Sequence, residues 1–256
     1  MADDQSEDEP TLAAGEFSPW MEQIEAALRG ERGSDVPCGG CTACCTSSQF
    51  IHIEPDETDT LAHIPADLLF PAPRLPFGHV LLGYDQRGHC PMLVDNHCSI
   101  YEHRPRTCRT YDCRVLPAAG LEGDDDKVLI ARQAQRWRFS FATQDDQIRR
   151  DAVRAAATFL DEHRDSLPVG AVPTTATQTA VVAIEIHHRF LSGGEATDHA
   201  SVVRPNPDVV RAEIVRVTGA RDRAQAHRSV PKPKWRQLGV ESLLQISWFR
   251  RTKTGR

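Results

Sequence analysis

No stretch of the 256-residue sequence approaches the roughly 18 consecutive apolar residues that cross a bilayer, which excludes a predicted transmembrane helix. The N-terminus has no basic start and no apolar segment after it, so no export signal is legible and a cytoplasmic location is expected. No internal repeat is present, which excludes a stacked-repeat architecture. No cysteine lies before Cys38 or after Cys113. Residues 1–16 contain no basic residue against six acids (Asp3, Asp4, Glu7, Asp8, Glu9, Glu16).

What is there is unevenly placed. Residues 204–256 carry thirteen Lys and Arg against four acids, a local excess of +9 in a chain of net charge −6. An acidic head and a basic tail read as solvated ends, or as a tail that meets a polyanion. Hydrophobic residues make up 40%, enough for a buried core over most of the chain.

The eight cysteines form two blocks. The first is Cys38-x2-Cys41-x2-Cys44-Cys45, and the second is Cys90-x7-Cys98-x9-Cys108-x4-Cys113. A reducing compartment keeps thiols reduced, so a dense cysteine set there reads as metal-binding. A two-residue spacing turns both thiolates toward one ion, and Gly39 and Gly40 permit the tight turn. Cys44 and Cys45 cannot readily pair with each other, because a trans peptide holds their Cα atoms only about 3.8 Å apart. Three cysteines at strict three-residue spacing match the opening of the bacterial ferredoxin run, whose next ligand precedes a proline, and Cys90-Pro91 offers such a pair. Structural zinc with four thiolates also fits. The expected metal ligands are therefore Cys38, Cys41, Cys44, Cys45, Cys90, Cys98, Cys108 and Cys113, holding an iron–sulfur cluster or Zn2+. They suffice for two four-coordinate sites or for one cluster with the rest packed; the spacing does not say which thiolates share an ion.

Arg104, Arg106, Arg109 and Arg114 surround Cys108 and Cys113, either to offset thiolate charge or to pair with Glu102 and Asp112. His89 and His97 directly precede cysteines and read as loop histidines ahead of ligands. His187-His188 reads as surface.

Periodicity and punctuation predict an α+β fold. A small cysteine-rich region of short strands and helical turns is expected to pack on a mainly helical C-terminal part. The predicted organisation is a disordered acidic segment 1–15, a cysteine-cluster domain 16–115, a mainly helical part 116–220 and a basic tail 221–256. Ser18-Pro19 predicts a helix start with apolar spacing through Leu28. Strands are predicted at 50–53, 79–84, 91–94 and 137–141, the second and third joined through 85–88, with a turn at Asn96-His97. Residues 65–76, with four prolines, predict a loop. Helices are predicted at 55–64, 145–163, 174–191, 207–217 and 240–249, with helical turns at 99–102 and 105–112 and a basic loop at 221–234.

The stretch Cys38-Gly-Gly-Cys-Thr-Ala-Cys-Cys, then Cys90-Pro-Met-Leu and Cys98-Ser-Ile-Tyr-Glu-His-Arg-Pro-Arg-Thr-Cys-Arg-Thr-Tyr, resembles the YkgJ-type cysteine-cluster family. That family is a zinc- or iron-chelating domain whose cluster is shared with flagellin lysine N-methylases. The resemblance covers roughly residues 36–115. It implies that Cys38, Cys41, Cys44, Cys45, Cys90, Cys98 and Cys108 are ligands, with Cys113 matching the terminal cysteine of many members. No glycine-rich S-adenosylmethionine motif is present, and residues 116–256 carry no motif of their own.

Two functions follow from the residues. One is a redox or metal-dependent enzyme built on the cluster. The other is a zinc-stabilised binding module whose basic end (Lys232, Lys234, Arg236, Arg250, Arg251, Lys253) meets nucleic acid or a protein partner, with Trp235 and Trp248 among those bases. Metal storage or delivery is a third use that eight thiolates would serve.

Overall fold

A computed structural model describes residues 10–227 except 35, 74 and 193–200. The elements are β1 (Leu12–Glu16), α1 (Phe17–Leu28), β2 (Ile51–Ile53), α2 (Thr58–His63), β3 (Leu69–Pro71), β4 (Val80–Leu82), β5 (Leu93–Val94), β6 (His97–Cys98), α3 (Arg106–Thr110), α4 (Val115–Ala119), α5 (Val128–Arg136), β7 (Trp137–Ser140), α6 (Gln144–Glu162), α7 (Ala176–Ile186) and α8 (Pro207–His227). The fold is α+β. No helix among the described residues is long and apolar enough to cross a membrane.

Apolar side chains collect into two separate cores. The larger takes Phe17, Trp20, Met21 and Ile24 from α1, Leu116 from α4, Leu160 from α6, Ile184 from α7 and Ile214 from α8. The smaller has four buried aliphatics, Ile53, Ile64, Leu82 and Ile100, from the strands and turns between the cysteine blocks. The larger core joins α1 to residues beyond 113, so it crosses the boundary expected at 115.

Helix α1 shows why these segments form where they do. Its apolar residues recur every three to four positions, which lays Phe17, Trp20, Met21 and Ile24 on one face. Gly30, at φ +76°, ends it: its N–H donates to Ala27 O and the next N–H, of Glu31, reaches back to Ala26 O, both at 3.0 Å. That pair satisfies carbonyls the helix leaves open, and only glycine takes this φ without cost. The helix starts one residue before Ser18, which is no cap; Ser18 Oγ instead donates to Asp146 at the start of α6. Helix α6 has a complete capping box: Thr143 Oγ1 accepts from Asp146 N at 3.2 Å, and Asp146 Oδ2 accepts from Thr143 N at 2.9 Å. Thr143→Ala is expected to cost about 1 kcal/mol. A melting curve that does not shift would show that this cap contributes nothing.

Several sequence expectations change. Residues 12–15, expected to be disordered, form β1, which pairs in parallel with β7; residues 1–9 lie outside the described ones. The pairing partner is more than a hundred residues away, so local composition carried no sign of it. Part of the proline-rich loop is strand β3, an edge strand whose Pro71 lacks an N–H at a place where the sheet does not need one. The strands near 79–84 and 91–94 do not pair with each other. β4 lies between β2 and β3, and β5 pairs with β6. The tight turn there is Asp95-Asn96, at φ +48° and +64°, one residue earlier than expected. Helix α8 runs on to His227, through part of the expected basic loop. Helices α4 and α5 were not anticipated. The helix expected at 240–249 lies outside the described residues.

Candidate metal centre

The first cysteine block is a turn followed by a single 3-10 turn. Gly39, at φ +53°, bends the chain so that Cys41 N reaches Cys38 O at 2.9 Å. Cys44 and Cys45 lie on the 3-10 turn Ala43–Thr46, pinned by Ser47 Oγ donating to Ala43 O at 2.6 Å. Consecutive side chains on such a turn point about 120° apart. The adjacent pair therefore faces two directions.

On one side, Cys44 packs against the larger core, where Cys113 is buried. Cys113 Sγ accepts a hydrogen bond from Trp137 Nε1 at 3.3 Å. On the other side, Cys45 O accepts from Cys90 N at 2.7 Å, and Cys90 O accepts from Leu93 N at 2.9 Å. Leu93 is opposite Cys98 in the β5–β6 hairpin, and both Cys90 and Cys98 pack on the smaller core. Helix α3, which carries Cys108, is tied to that same core by Thr107 Oγ1 donating to His52 O at 2.6 Å and by Arg106 N donating to Glu57.

Burial raises these thiols first, and they also raise one another both within and across these two sides, Cys45 acting on Cys44, and Cys41 and Cys38 on Cys45. Burial, then the charge of Cys113 and of Cys38, pushes the Cys44 thiol up. Burial, then Cys90 and Cys98, pushes Cys45 up to about 11. Burial, then Cys90, Cys45 and Cys98, pushes Cys108 up to about 12. Burial, partly offset by the Trp137 hydrogen bond, pushes Cys113 up to about 12. Cys38 is raised by burial and then by Cys41, and Cys90 by burial and then, against its backbone hydrogen bond from Met92, by Cys98. Thiolates so buried and so close to one another repel; a bound cation removes that repulsion and deprotonates the thiols outright. The donor set fits a soft metal ion or cluster. All eight cysteines are free thiols. Among the described residues no three sulfurs gather within 4.8 Å of one another.

Of the carboxylates expected to pair with the arginines around Cys108 and Cys113, Asp112 does so, with Arg114, while Arg106 and Arg109 meet Glu54, Asp56 and Glu57 instead. Arg104 lies over the Tyr101 ring, its Cζ 3.6 Å from the centroid, and its charge favours the thiolates of Cys38 and Cys108. Arg106 pairs with Glu54 and Asp56. Arg109 is exposed, 4.0 Å from Glu57. Arg114 is buried on Asp112, at 2.8 Å between Nη2 and Oδ2. Asp112 Oδ2 also accepts from Trp20 Nε1 at 3.0 Å and Ser34 Oγ at 2.9 Å, which locks α1 to the chain beside Cys113.

His97 is exposed, its Nδ1 2.7 Å from Asp95 O. His187, expected on the surface, is buried at 6% exposure with Nδ1 2.6 Å from Ile184 O, because the chain tightens into a 3-10 turn at the end of α7. Lys127 was not singled out from sequence. Its Nζ donates to Ser47 O at 3.0 Å and so fastens the start of α5 to the end of the cysteine turn. A lone lysine in a polar loop carries no signal of that contact.

Neither the curated proteins nor the solved structures contain a match to this chain. A family model matches residues 37–127, from just before Cys38 to the lysine that closes over the cysteine turn. Over those residues the chain is similar to the CxxCxxCC family, described as "putative zinc- or iron-chelating domain".

Proposed function

We propose that the chain is an iron–sulfur protein with two four-thiolate centres. Cys38, Cys41, Cys44 and Cys113 would hold the first, and Cys45, Cys90, Cys98 and Cys108 the second. The observation that carries this reading is that Cys44 and Cys113 belong with the larger core and Cys90 and Cys98 with the smaller, while the Cys45 carbonyl accepts from Cys90 N. A resident cluster would supply electron transfer or Lewis acidity; the surrounding residues would shield it and fix its ligands.

Sulfur spacing favours clusters over single ions. One tetrahedral zinc with Zn–S bonds of about 2.3 Å holds its sulfurs about 3.8 Å apart. Among the described residues no three of the thiols bring all their sulfurs within 4.8 Å of one another. A polynuclear cluster suits a wider set, because different thiolates bind different irons. The strict Cys-x2-Cys-x2-Cys run points the same way.

A redox or metal-dependent enzyme is the use we favour. A cleft of about 400 Å³ runs along α3, the helix that carries Cys108, between the end of α1 and residues of β2–α2. Arg32, Glu57, Arg106, Thr107 and Arg109 line it. Such a cleft beside a metal centre could hold a small polar substrate. The alternative, a zinc-stabilised module with a basic nucleic-acid or protein contact, rests on residues 228–256, which lie outside the described ones.

The test is metal and acid-labile sulfide analysis with a visible spectrum on anaerobically purified protein. Iron with matching sulfide and a broad charge-transfer band is the expected result. Zinc without sulfide overturns the iron–sulfur reading and makes both centres structural.

A further inference from the structure

Helix α2 and the turn after Cys98 bring together three ligating side chains that belong to neither cysteine group. Asp59 and His63 stand four residues apart on α2 and share one face. His103 ends the 3-10 turn Tyr101–His103, which packs against α2. His103 Nδ1 lies 2.8 Å from Asp59 Oδ2, and His63 Nδ1 lies 3.7 Å from Asp59 Oδ1. The two imidazoles stack with centroids 3.5 Å apart and planes 6° from parallel. One donor atom from each residue lies within 4.8 Å of the other two. Among the described residues this is the grouping of His, Cys, Asp and Glu donors that meets that separation.

The chemistry fits a metal ion in three ways. Metal–ligand bonds of about 2.1 Å at tetrahedral angles place donors about 3.4 Å apart, and the observed 2.8 and 3.7 Å bracket that value. Imidazole is the commonest protein ligand for such an ion, and two imidazoles stand here side by side. The rings are already aligned by short contacts. His103 Nδ1 shares a proton with the Asp59 carboxylate, and His63 Nδ1 lies 2.8 Å from the Asp59 main-chain carbonyl. A divalent ion would take the place of those protons.

We propose that Asp59, His63 and His103 form a third metal site, separate from the thiolate centres, for a divalent first-row ion of the Zn2+ or Fe2+ kind. Two imidazoles and one carboxylate suit such an ion, whereas the thiolate groups suit softer chemistry. All three side chains are solvent-exposed, at 70% for Asp59, 41% for His63 and 38% for His103. The ion therefore keeps open positions toward water and exchanges readily. The site does not depend on what the cysteines hold.

The experiment is a cobalt titration of the anaerobically purified full chain with its thiolate centres loaded as isolated. Added Co2+ should bind at one further equivalent, with visible bands of a nitrogen- and oxygen-ligated ion that lack thiolate charge transfer. His63→Gln and His103→Gln should each weaken that binding by roughly 100-fold, because each removes a group bonded to the ion, and loss of a group that only hydrogen-bonds a ligand already costs about 10–100-fold. Metal and sulfide at the cysteines, measured separately, should stay unchanged, as should the melting temperature. If His103→Gln proves unstable, His63→Gln, on the exposed face of α2, decides alone. No further cobalt bound, equal binding by a variant that folds, or cobalt bands with thiolate charge transfer each overturn the proposal.

Discussion

Serine at Cys108 removes about half of the bound metal and loosens the smaller core, whereas serine at Cys41 removes the other half and leaves both cores folded. The expectation follows from where each thiol group sits. The group with Cys108 is attached to a core of four buried aliphatics, Ile53, Ile64, Leu82 and Ile100. The strands that frame it are two or three residues long. A core that small does not hold its chain without a staple. Metal binding there is folding free energy, on the order of 10 kcal/mol in small metal-supported domains. The group with Cys41 rests on the larger core of α1, α4, α6, α7 and α8, which burial alone supports.

Hydrogen exchange read with metal and sulfide analysis checks this. Cys108→Ser should raise exchange across 50–100 while α6 and α7 stay protected. Cys41→Ser should leave exchange in both regions near wild type. Combining the two substitutions should remove nearly all metal, and combining Cys41→Ser with Cys113→Ser should remove no more than either alone. Loss of all metal in Cys41→Ser would mean that the eight thiolates serve one centre. Retention of all metal in both single variants would remove these residues from the site.

Asp112→Ala should destabilise the protein by about 3–5 kcal/mol, a drop in melting temperature on the order of 10 °C for a chain of this size. Asp112 and Arg114 are 3% and 4% exposed, so this is a buried ion pair and not a surface one. Removing the carboxylate takes the bidentate Asp112 contact from the buried guanidinium, while Nη1 keeps its 3.0 Å bond to Ala14 O. It also strands the Trp20 and Ser34 donors. Asp112→Leu combined with Arg114→Met removes both charges and should recover a good part of the loss, because the larger cost lies in the buried charge that has lost its carboxylate. A double variant as unstable as Asp112→Ala would show that the Trp20 and Ser34 bonds, and not the charge, carry the effect. A change below about 1 °C in Asp112→Ala would show that the pair contributes nothing.

Much of the helical part was legible because its signals are local. The apolar spacing of Ala152, Ala156 and Leu160 lies within one helix. The apolar run of α7 is likewise continuous in sequence. Strand β1 was not legible, since Leu12–Glu16 has no β-branched or aromatic residue and owes its form to pairing with Trp137–Ser140. Strand β3 was hidden by prolines that an edge position tolerates. His187 was misplaced because the face it presents depends on the 3-10 turn that ends α7.

For the metal chemistry, the sequence by itself determined the donor type and its density. Eight cysteines at ligand spacing, with Gly39 able to turn the chain, name a thiolate-bound metal whatever the fold. Only the tertiary structure decided which thiols are neighbours. Cys44 packs against the larger core that holds Cys113, sixty-nine residues away, while the carbonyl of its neighbour Cys45 accepts from Cys90 N beside the smaller core. It also decided that Asp59, His63 and His103 meet at all. Spacing along a chain reports which donors can share a turn. Which turns face each other is set by the burial of Ile53, Leu82, Leu116 and Ile184, residues that bind no metal themselves.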